Sequence, residues 1–198
     1  MPVAAPLSES GNERHPAMDR GRVGMACLII AESAIFTIFV VAYIFYLGRS
    51  LSGPQPRDVL EAPILNSICL LSSSATISLA IRSLRKDRRK AFAGWLAATI
   101  ALGIEFLAGT GREWSYLIRE KGLTISTNLF GTTFYSLVGL HASHVVVGLI
   151  LLMIVFVFAA CGIIQREHAD RIDVIALYWH FVDFIWVVVF TVVYLVGR

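Results

Sequence analysis

The sequence is poor in charged residues, which make up 16% of its 198 residues, whereas 57% are hydrophobic. A soluble domain has about a quarter of its residues charged, so this composition indicates a protein that is surrounded largely by lipid. The net charge of +3 is small. No basic stretch carries the interleaved aromatic residues of a nucleic-acid-binding module, and we therefore expect no nucleic-acid partner.

Cysteine is also scarce. Cys27, Cys69 and Cys161 fall in three different apolar runs. They form no CxxC or CxxCH pattern, and an odd number of cysteines fits no disulfide framework. The phosphate-binding pattern GxxxxGK[ST] is absent, so the sequence gives no basis for ATP hydrolysis. These absences exclude the common redox and nucleotide motifs.

Long hydrophobic runs are what the sequence does contain. Five of them, at residues 23–47, 64–81, 91–109, 129–161 and 174–196, approach or exceed the roughly 20 residues that cross a bilayer as a helix. The alternating polarity of membrane strands is absent, and helices are then the remaining way to span a membrane. The sequence predicts an all-α integral membrane bundle of five transmembrane helices at residues 23–198. A flexible cytoplasmic tail is predicted at residues 1–22, which are too polar to form a core.

Lysine and arginine are distributed unequally between the two sides of this predicted bundle. The side that holds the N-terminal tail also holds residues 82–90, where six of nine residues are basic. Short basic connections next to membrane spans favour the cytoplasm. We expect a cytoplasmic N-terminus and, because the number of spans is odd, a C-terminus outside.

Three glutamates lie in or beside the apolar runs. Glu32 is inside the first run, where an ionised carboxylate costs about 3 kcal/mol. We expect it to be protonated or paired, either as a proton-handling or lipid-contacting group or as an interhelical contact. Glu113 follows Arg112 just beyond the third run, where an interfacial position would lower that cost. Glu105 lies inside the third run, and we assign it no role.

Three of the five histidines are at membrane depth. His141 and His144 share one face of the fourth run. This spacing permits a metal site, but no nearby Cys or third His completes a ligand set, although a Glu from another helix could. Helix–helix hydrogen bonding or contact with a lipid headgroup is favoured. His180 and Asp183 share one face of the fifth run and are predicted to form a polar pair for helix packing, with each other or with neighbouring helices.

Four stretches together resemble subunit III of the haem–copper terminal oxidases, the membrane complexes that reduce oxygen to water. They are Ala31-Glu32-Ser33 with Phe36 and Tyr43; Leu65-Asn66-Ser67 with Leu70-Leu71-Ser72-Ser73; Gly131-Thr132-Thr133-Phe134-Tyr135 with Gly139-Leu140-His141, His144-Val145 and Gly148; and Tyr178-Trp179-His180-Phe181-Val182-Asp183 with Trp186 and Tyr194. The last two are specific when they occur together. The longer family members have seven helices, so five helices resemble the short bacterial form. Ala142-Ser143 replaces the common Gly-Leu.

The resemblance implies a non-catalytic subunit of a proton-pumping oxidoreductase and translocase in aerobic respiration. It implies that this chain binds no haem or copper, which belong to partner subunits. The expected partners are the catalytic subunit I, the donor-receiving subunit II and membrane lipids, with phospholipid held between helices. The expected location is the bacterial cytoplasmic membrane. Glu32, Glu113, His141 and His144 are the candidates for proton uptake or lipid contact, and no residue is proposed as catalytic, cofactor-binding or metal-ligating.

Several alternatives stay open at this point. The electron donor could be cytochrome c, the commoner donor in the family, or a quinol, because the donor site belongs to other subunits. A related accessory protein of a nitric oxide reductase system would share the fold and the motifs. A different class of protein is a stand-alone proton-coupled carrier that uses Glu32, His180 and Asp183.

Overall fold

The computed structural model describes residues 20–50, 53–60 and 62–197. Within these ranges the chain is helical and contains no β-strand. The helices are α1 (Arg20–Tyr46), the short α2 (Pro56–Val59), α3 (Ile64–Arg85), α4 (Arg89–Arg119), α5 (Leu129–Ala160) and α6 (Ala169–Phe190). A 3-10 turn, Arg166–His168, precedes α6, and a π-helical segment, Thr191–Val196, extends it. Five helices of the described part are long and apolar enough to cross a membrane, which confirms the predicted class.

Several helices extend past the apolar runs that predict them. Helix α1 begins at Arg20, inside the segment predicted as a tail, and residues 1–19 of that segment lie outside the described residues. Helix α4 continues to Arg119, although its apolar run ends at residue 109. Its 31 residues correspond to about 46 Å of helix, longer than the roughly 30 Å of hydrocarbon. Hydropathy detects the hydrocarbon, whereas the hydrogen-bonded helix continues into the polar interface.

Helix α6 lies at the centre of the bundle and packs against α1, α3 and α5. Its Trp179 is fully buried and requires glycine on two neighbouring helices. A Cβ atom built on Gly103 of α4 would lie 2.9 Å from Cη2 of Trp179, and one built on Gly148 of α5 would lie 2.8 Å from its Cε3. Because interiors are close-packed, a larger residue at either position would displace the indole ring.

One end of the bundle joins the start of α1, the end of α3 and the start of α6. Arg22 Nη2 lies 2.6 Å from Asp173 Oδ2, and Arg85 Nη2 lies 3.4 Å from the same oxygen. Arg85 Nη2 also lies 3.5 Å from Asp170 Oδ1. This end is the one that the basic residues predict to be cytoplasmic. The side of the membrane on which each terminus lies stays a prediction.

Candidate functional site

Glu32 of α1 and His144 of α5 are in direct contact. Glu32 Oε2 lies 3.0 Å from Nε2 of His144, and Nδ1 of the same ring lies 2.8 Å from the carbonyl oxygen of Leu140. A carbonyl oxygen only accepts hydrogen bonds, so Nδ1 carries a proton and donates it. The hydrogen bond between Nε2 and Oε2 therefore needs one further proton, which lies on either the imidazole or the carboxyl. The pair is an ion pair in the first case and two neutral groups in the second.

The surroundings of this pair are apolar and partly open. The side chains of Glu32 and His144 are 23% and 13% exposed. They line a cavity of about 250 Å³ between α1, α5 and α6, together with Met25, Leu28, Ser143, Val147, Leu151 and Tyr178. The Tyr178 hydroxyl donates to the His144 carbonyl oxygen at 3.3 Å. The pair is thus accessible from the helix surface, where a proton or a polar group could reach it.

A row of serines on α3 accepts hydrogen bonds from the tryptophans of α6. Trp179 Nε1 donates to Ser73 Oγ at 2.8 Å, and Trp186 Nε1 donates to Ser67 Oγ at 3.0 Å. Both indole N–H groups are buried and would be costly without an acceptor. Small hydroxyl residues let the two helices approach closely, and the paired donors set the rotation of α6 against α3.

Between these two bonds, Ser74 of α3 lies against both His180 and Asp183. Its hydroxyl donates to Asp183 Oδ2, and its Oγ lies 2.9 Å from His180 Nδ1. Because the hydroxyl proton points to the carboxylate, His180 Nδ1 donates to the serine oxygen. The two residues predicted as a polar pair for helix packing are therefore joined through Ser74, on a neighbouring helix. Asp183 Oδ1 is buried and has no hydrogen-bond partner in the part of the chain that the structure describes.

Glu113 lies on α4, because that helix continues beyond the predicted run. Its Oε1 accepts a hydrogen bond of 2.8 Å from the hydroxyl of Tyr194. Glu113 also lines a cavity of about 320 Å³ that Asn66 and Arg112 share. It therefore links α4 to the last turn of the α6 extension, at a place separate from Glu32 and His144.

His141 is enclosed by aromatic rings. It is 0% exposed, and the ring centroids of Trp186 and Phe106 lie 5.1 and 5.8 Å from its own. Neither of its ring nitrogens has a hydrogen-bond partner among the described residues. The side chain of His141 therefore lies between helices, whereas that of His144 reaches a cavity, and a role of His141 in proton uptake or lipid contact stays a prediction.

The two histidines of α5 do not converge on one site, since Glu32 bonds the ring of His144 and that of His141 is enclosed by aromatic side chains. Among residues 20–50, 53–60 and 62–197, no group of three or more His, Cys, Asp or Glu side chains could hold a metal ion. Cys27, Cys69 and Cys161 are free thiols.

Glu105 differs from the other carboxylates at membrane depth. Its Oε1 lies 2.5 Å from Nη2 of Arg112, on the same helix, and the two side chains are 46% and 68% exposed. It therefore makes no bond to another helix in the described part of the chain. The sequence did not indicate this pair.

These features define the class: a multi-pass helical membrane protein whose interior polar groups bond from helix to helix. The family model described as cytochrome c oxidase subunit III matches residues 7–198. A cytochrome c oxidase subunit 3 of Synechocystis sp. is 37% identical over 194 residues, which cover 96% of this chain and 81% of the relative. A subunit 3 of the same oxidase in Alkalihalophilus pseudofirmus is 34% identical over 168 residues, 84% of this chain and 82% of the relative. The cytochrome bo(3) ubiquinol oxidase subunit 3 of Pseudomonas aeruginosa is 30% identical over 198 residues, 98% and 94% of the two chains.

The chain belongs to the subunit III family of the haem–copper terminal oxidases. This confirms the family that its motifs resemble and its function as a non-catalytic subunit III of such an oxidase. The chain is accordingly part of an oxidoreductase complex and is a multi-pass membrane protein.

Proposed function

We propose that the chain is subunit III of a proton-pumping, oxygen-reducing oxidase in a bacterial cytoplasmic membrane, with its N-terminus in the cytoplasm. In this proposal it packs beside the catalytic subunit I and the donor-receiving subunit II, and the haem and copper are held by those partners. The observation that carries the proposal is the family match over residues 7–198. The bacterial relatives and the basic end of the bundle support the membrane and the orientation.

The Glu32–His144 pair gives this subunit a means of supporting proton uptake. Its hydrogen bond holds one proton at a partly exposed place beside a cavity. Such a pair can pass a proton on without changing its contact, because the proton lies on either partner. We therefore assign to Glu32 and His144 a role in sustaining proton delivery and the active lifetime of the catalytic subunit. Glu113 is a second candidate through its bond with Tyr194.

Phospholipid is the expected small-molecule ligand. Met25 and Leu28 contribute apolar surface to the cavity beside Glu32, and His144 and Ser143 contribute polar surface. An apolar groove of about 420 Å³ between α3 and α6 is lined by Ile64, Leu71 and Phe190 among others. Lipid acyl chains fit apolar surfaces of this kind, and a lipid headgroup fits the polar surface formed by His144 and Ser143.

Exchange of Glu32 tests the proton-related role. Glu32→Gln keeps a hydrogen-bonding amide opposite His144 but cannot exchange a proton as a carboxyl does. We expect unchanged haem content in the purified complex, slower proton uptake and a shorter active lifetime. Ser33→Ala is the control, because the Ser33 hydroxyl donates to the carbonyl oxygen of Ile29 in its own helix. Loss of haem in the Glu32 variant, or equal kinetics in both variants, would contradict the proposal.

The electron donor is proposed to be cytochrome c, with a quinol as the second candidate. Relatives named for each oxidase match most of this chain, so the sequence of the co-purifying donor-receiving subunit decides. A dinuclear copper motif in that subunit means cytochrome c, and its absence favours a quinol.

Purification of the tagged chain from its native membrane tests the oxidase proposal as a whole. We expect a haem- and copper-containing subunit to co-purify and to reduce oxygen. A nitric oxide reductase as the partner would replace the proposal with the related accessory role. Specific proton or solute transport by the chain alone in liposomes would establish the carrier instead.

A further inference from the structure

The hydroxyl group of Ser74 on α3 is bonded to two titratable side chains of α6 at once. Its Oγ lies 2.9 Å from Nδ1 of His180 and is also hydrogen-bonded to Oδ2 of Asp183. A serine hydroxyl can donate one hydrogen bond while its oxygen accepts another. Ser74 therefore joins the imidazole and the carboxyl group by two consecutive hydrogen bonds.

Two arrangements of the protons satisfy both of these hydrogen bonds. In the first, Nδ1–H of His180 donates to Ser74, and Ser74 donates to the carboxylate of Asp183. In the second, the protonated carboxyl of Asp183 donates to Ser74, and Ser74 donates to an unprotonated Nδ1. The first becomes the second when Ser74 gives its proton to Oδ2 and receives the proton of Nδ1. If His180 begins as an imidazolium, both side chains end neutral, and no proton is gained or lost.

The three residues differ in how far they are buried. Asp183 is 2% exposed, whereas Ser74 and His180 are half-buried. Nε2 of His180 lies 3.5 Å from the hydroxyl oxygen of Ser78, which is half-buried as well. An imidazole can accept a proton on one ring nitrogen and release one from the other. A proton can therefore enter at Nε2 of His180 and reach the buried carboxyl group through Ser74.

The order of the three groups differs from that of a hydrolytic Ser-His-Asp triad. In such a triad the imidazole lies between the serine and the carboxylate, and it takes the proton of the serine that attacks the substrate. Here the serine lies between the other two, and its hydroxyl donates to Asp183. This order favours proton transfer through Ser74 over activation of its oxygen as a nucleophile.

We propose that His180, Ser74 and Asp183 form a proton relay, in which the imidazole and the carboxyl share one proton through the serine hydroxyl. Ionisable residues at membrane depth often form relays of this kind. The relay is a second proton-holding site, separate from the Glu32–His144 pair, whose two members bond each other directly. All three residues belong to this chain, so the relay does not depend on the identity of the partner subunits.

Nitrogen NMR of the full chain in lipid bilayers, with isotope-labelled histidines, tests the relay. A ring nitrogen resonates at well-separated positions with and without a proton, so rapid sharing gives a position between these two limits. His180→Gln identifies the signals of His180 by their loss. We expect an intermediate position for Nδ1 of His180 in the wild type. A position at either limit would overturn the relay.

Ser74→Ala removes the hydroxyl through which the proton passes. We expect the Nδ1 signal of His180 to move to one of its two limits, and Ser74→Thr, which keeps a hydroxyl, to restore the intermediate position. Ser72→Ala is the matched control on α3, because the Ser72 hydroxyl donates to the carbonyl oxygen of Cys69 in its own helix. An unchanged signal in Ser74→Ala, or an equal shift in Ser72→Ala, would contradict the relay.

Asp183→Asn gives a second measurement that leaves Ser74 in place. The amide is close in size to the carboxyl but cannot take up the shared proton, so Nδ1 of His180 should again resonate at one limit. A signal that stays intermediate would show that Asp183 does not share the proton, and would overturn the relay. Proton uptake by the Glu32 variant does not enter these measurements, so failure of the relay leaves the proposed function standing.

Discussion

Helices α6 and α1 both span the membrane but are attached to the bundle in different ways. Half of the residues in the most apolar 18-residue stretch of the α6 segment are buried, against 6% in α1. In α1, Phe36 and Tyr43 are the buried residues of the helix. The two helices therefore differ in how much packing supports their polar contacts.

The polar contacts differ in the same way. Helix α6 bonds α3 through Trp179, Asp183 and Trp186, all of which are almost fully buried. Helix α1 is held by the partly exposed Glu32–His144 contact and, at its end, by Arg22 with Asp173. Buried contacts fix a structure, whereas accessible ones can exchange protons and partners. The α6 contacts thus define the scaffold, and the α1 contact is the better candidate for function.

Among these substitutions, Trp179→Ala should destabilise the packing of α6 most severely. It removes a fully buried indole between Gly103 and Gly148 and leaves the Ser73 hydroxyl without its donor. Replacing a buried Trp with Ala costs about 3–5 kcal/mol. We expect a large fall in the midpoint of thermal unfolding in detergent, followed by near-UV circular dichroism. Trp95→Ala, at an indole that is 40% exposed, is the control, and a similar fall there would refute a special role for Trp179.

Asp183→Ala should have the next largest effect. It removes the acceptor of the Ser74 hydroxyl on α3 and leaves His180 bonded to a serine whose proton has no acceptor. Interhelical polar contacts in membranes contribute about 0.6 to 2 kcal/mol, and we expect a loss in that range by thermal unfolding. A double-mutant cycle with Ser74→Ala isolates the contact. Fully additive losses would show that Ser74 does not couple to Asp183.

The sequence was sufficient to predict the five spanning helices and to single out some of the polar residues that contact one another. It predicted Glu32 and His144 as candidates, but not that they meet, because they are 112 positions apart. In a membrane the outer face of a helix is as apolar as the inner one, so amphipathicity does not reveal which face packs. Glu113 was predicted to lie beyond its helix, because hydropathy falls where α4 leaves the hydrocarbon. The resemblance to a known family indicated the function, which the periodicity of the apolar residues could not.

His144→Phe tests how much the Glu32–His144 contact contributes to the attachment of α1. Phe fills most of the space of the imidazole but leaves the Glu32 carboxyl without its partner. We expect a stability loss of about 0.6 kcal/mol, the mean for such contacts in membranes, smaller than for Asp183→Ala. A spin-label distance between α1 and α5 should become broader, because the substitution removes the hydrogen bond that joins the two helices. An unchanged distance distribution would show that the apolar contacts alone hold α1.

Arg22→Gln should have the smallest effect, because the ion pair at the end of α1 is exposed to solvent. The side chains of Arg22 and Asp173 are 49% and 32% exposed, and such pairs are typically worth about 0 to 1 kcal/mol. Asp173→Asn should cost more, since Asp173 also contacts Arg85 of α3. Because salt screens exposed charges, the difference between each variant and the wild type should shrink when thermal unfolding is measured at high ionic strength. A loss from Arg22→Gln that matched Asp183→Ala and persisted in salt would mean that α1 is fixed to the bundle as firmly as α6.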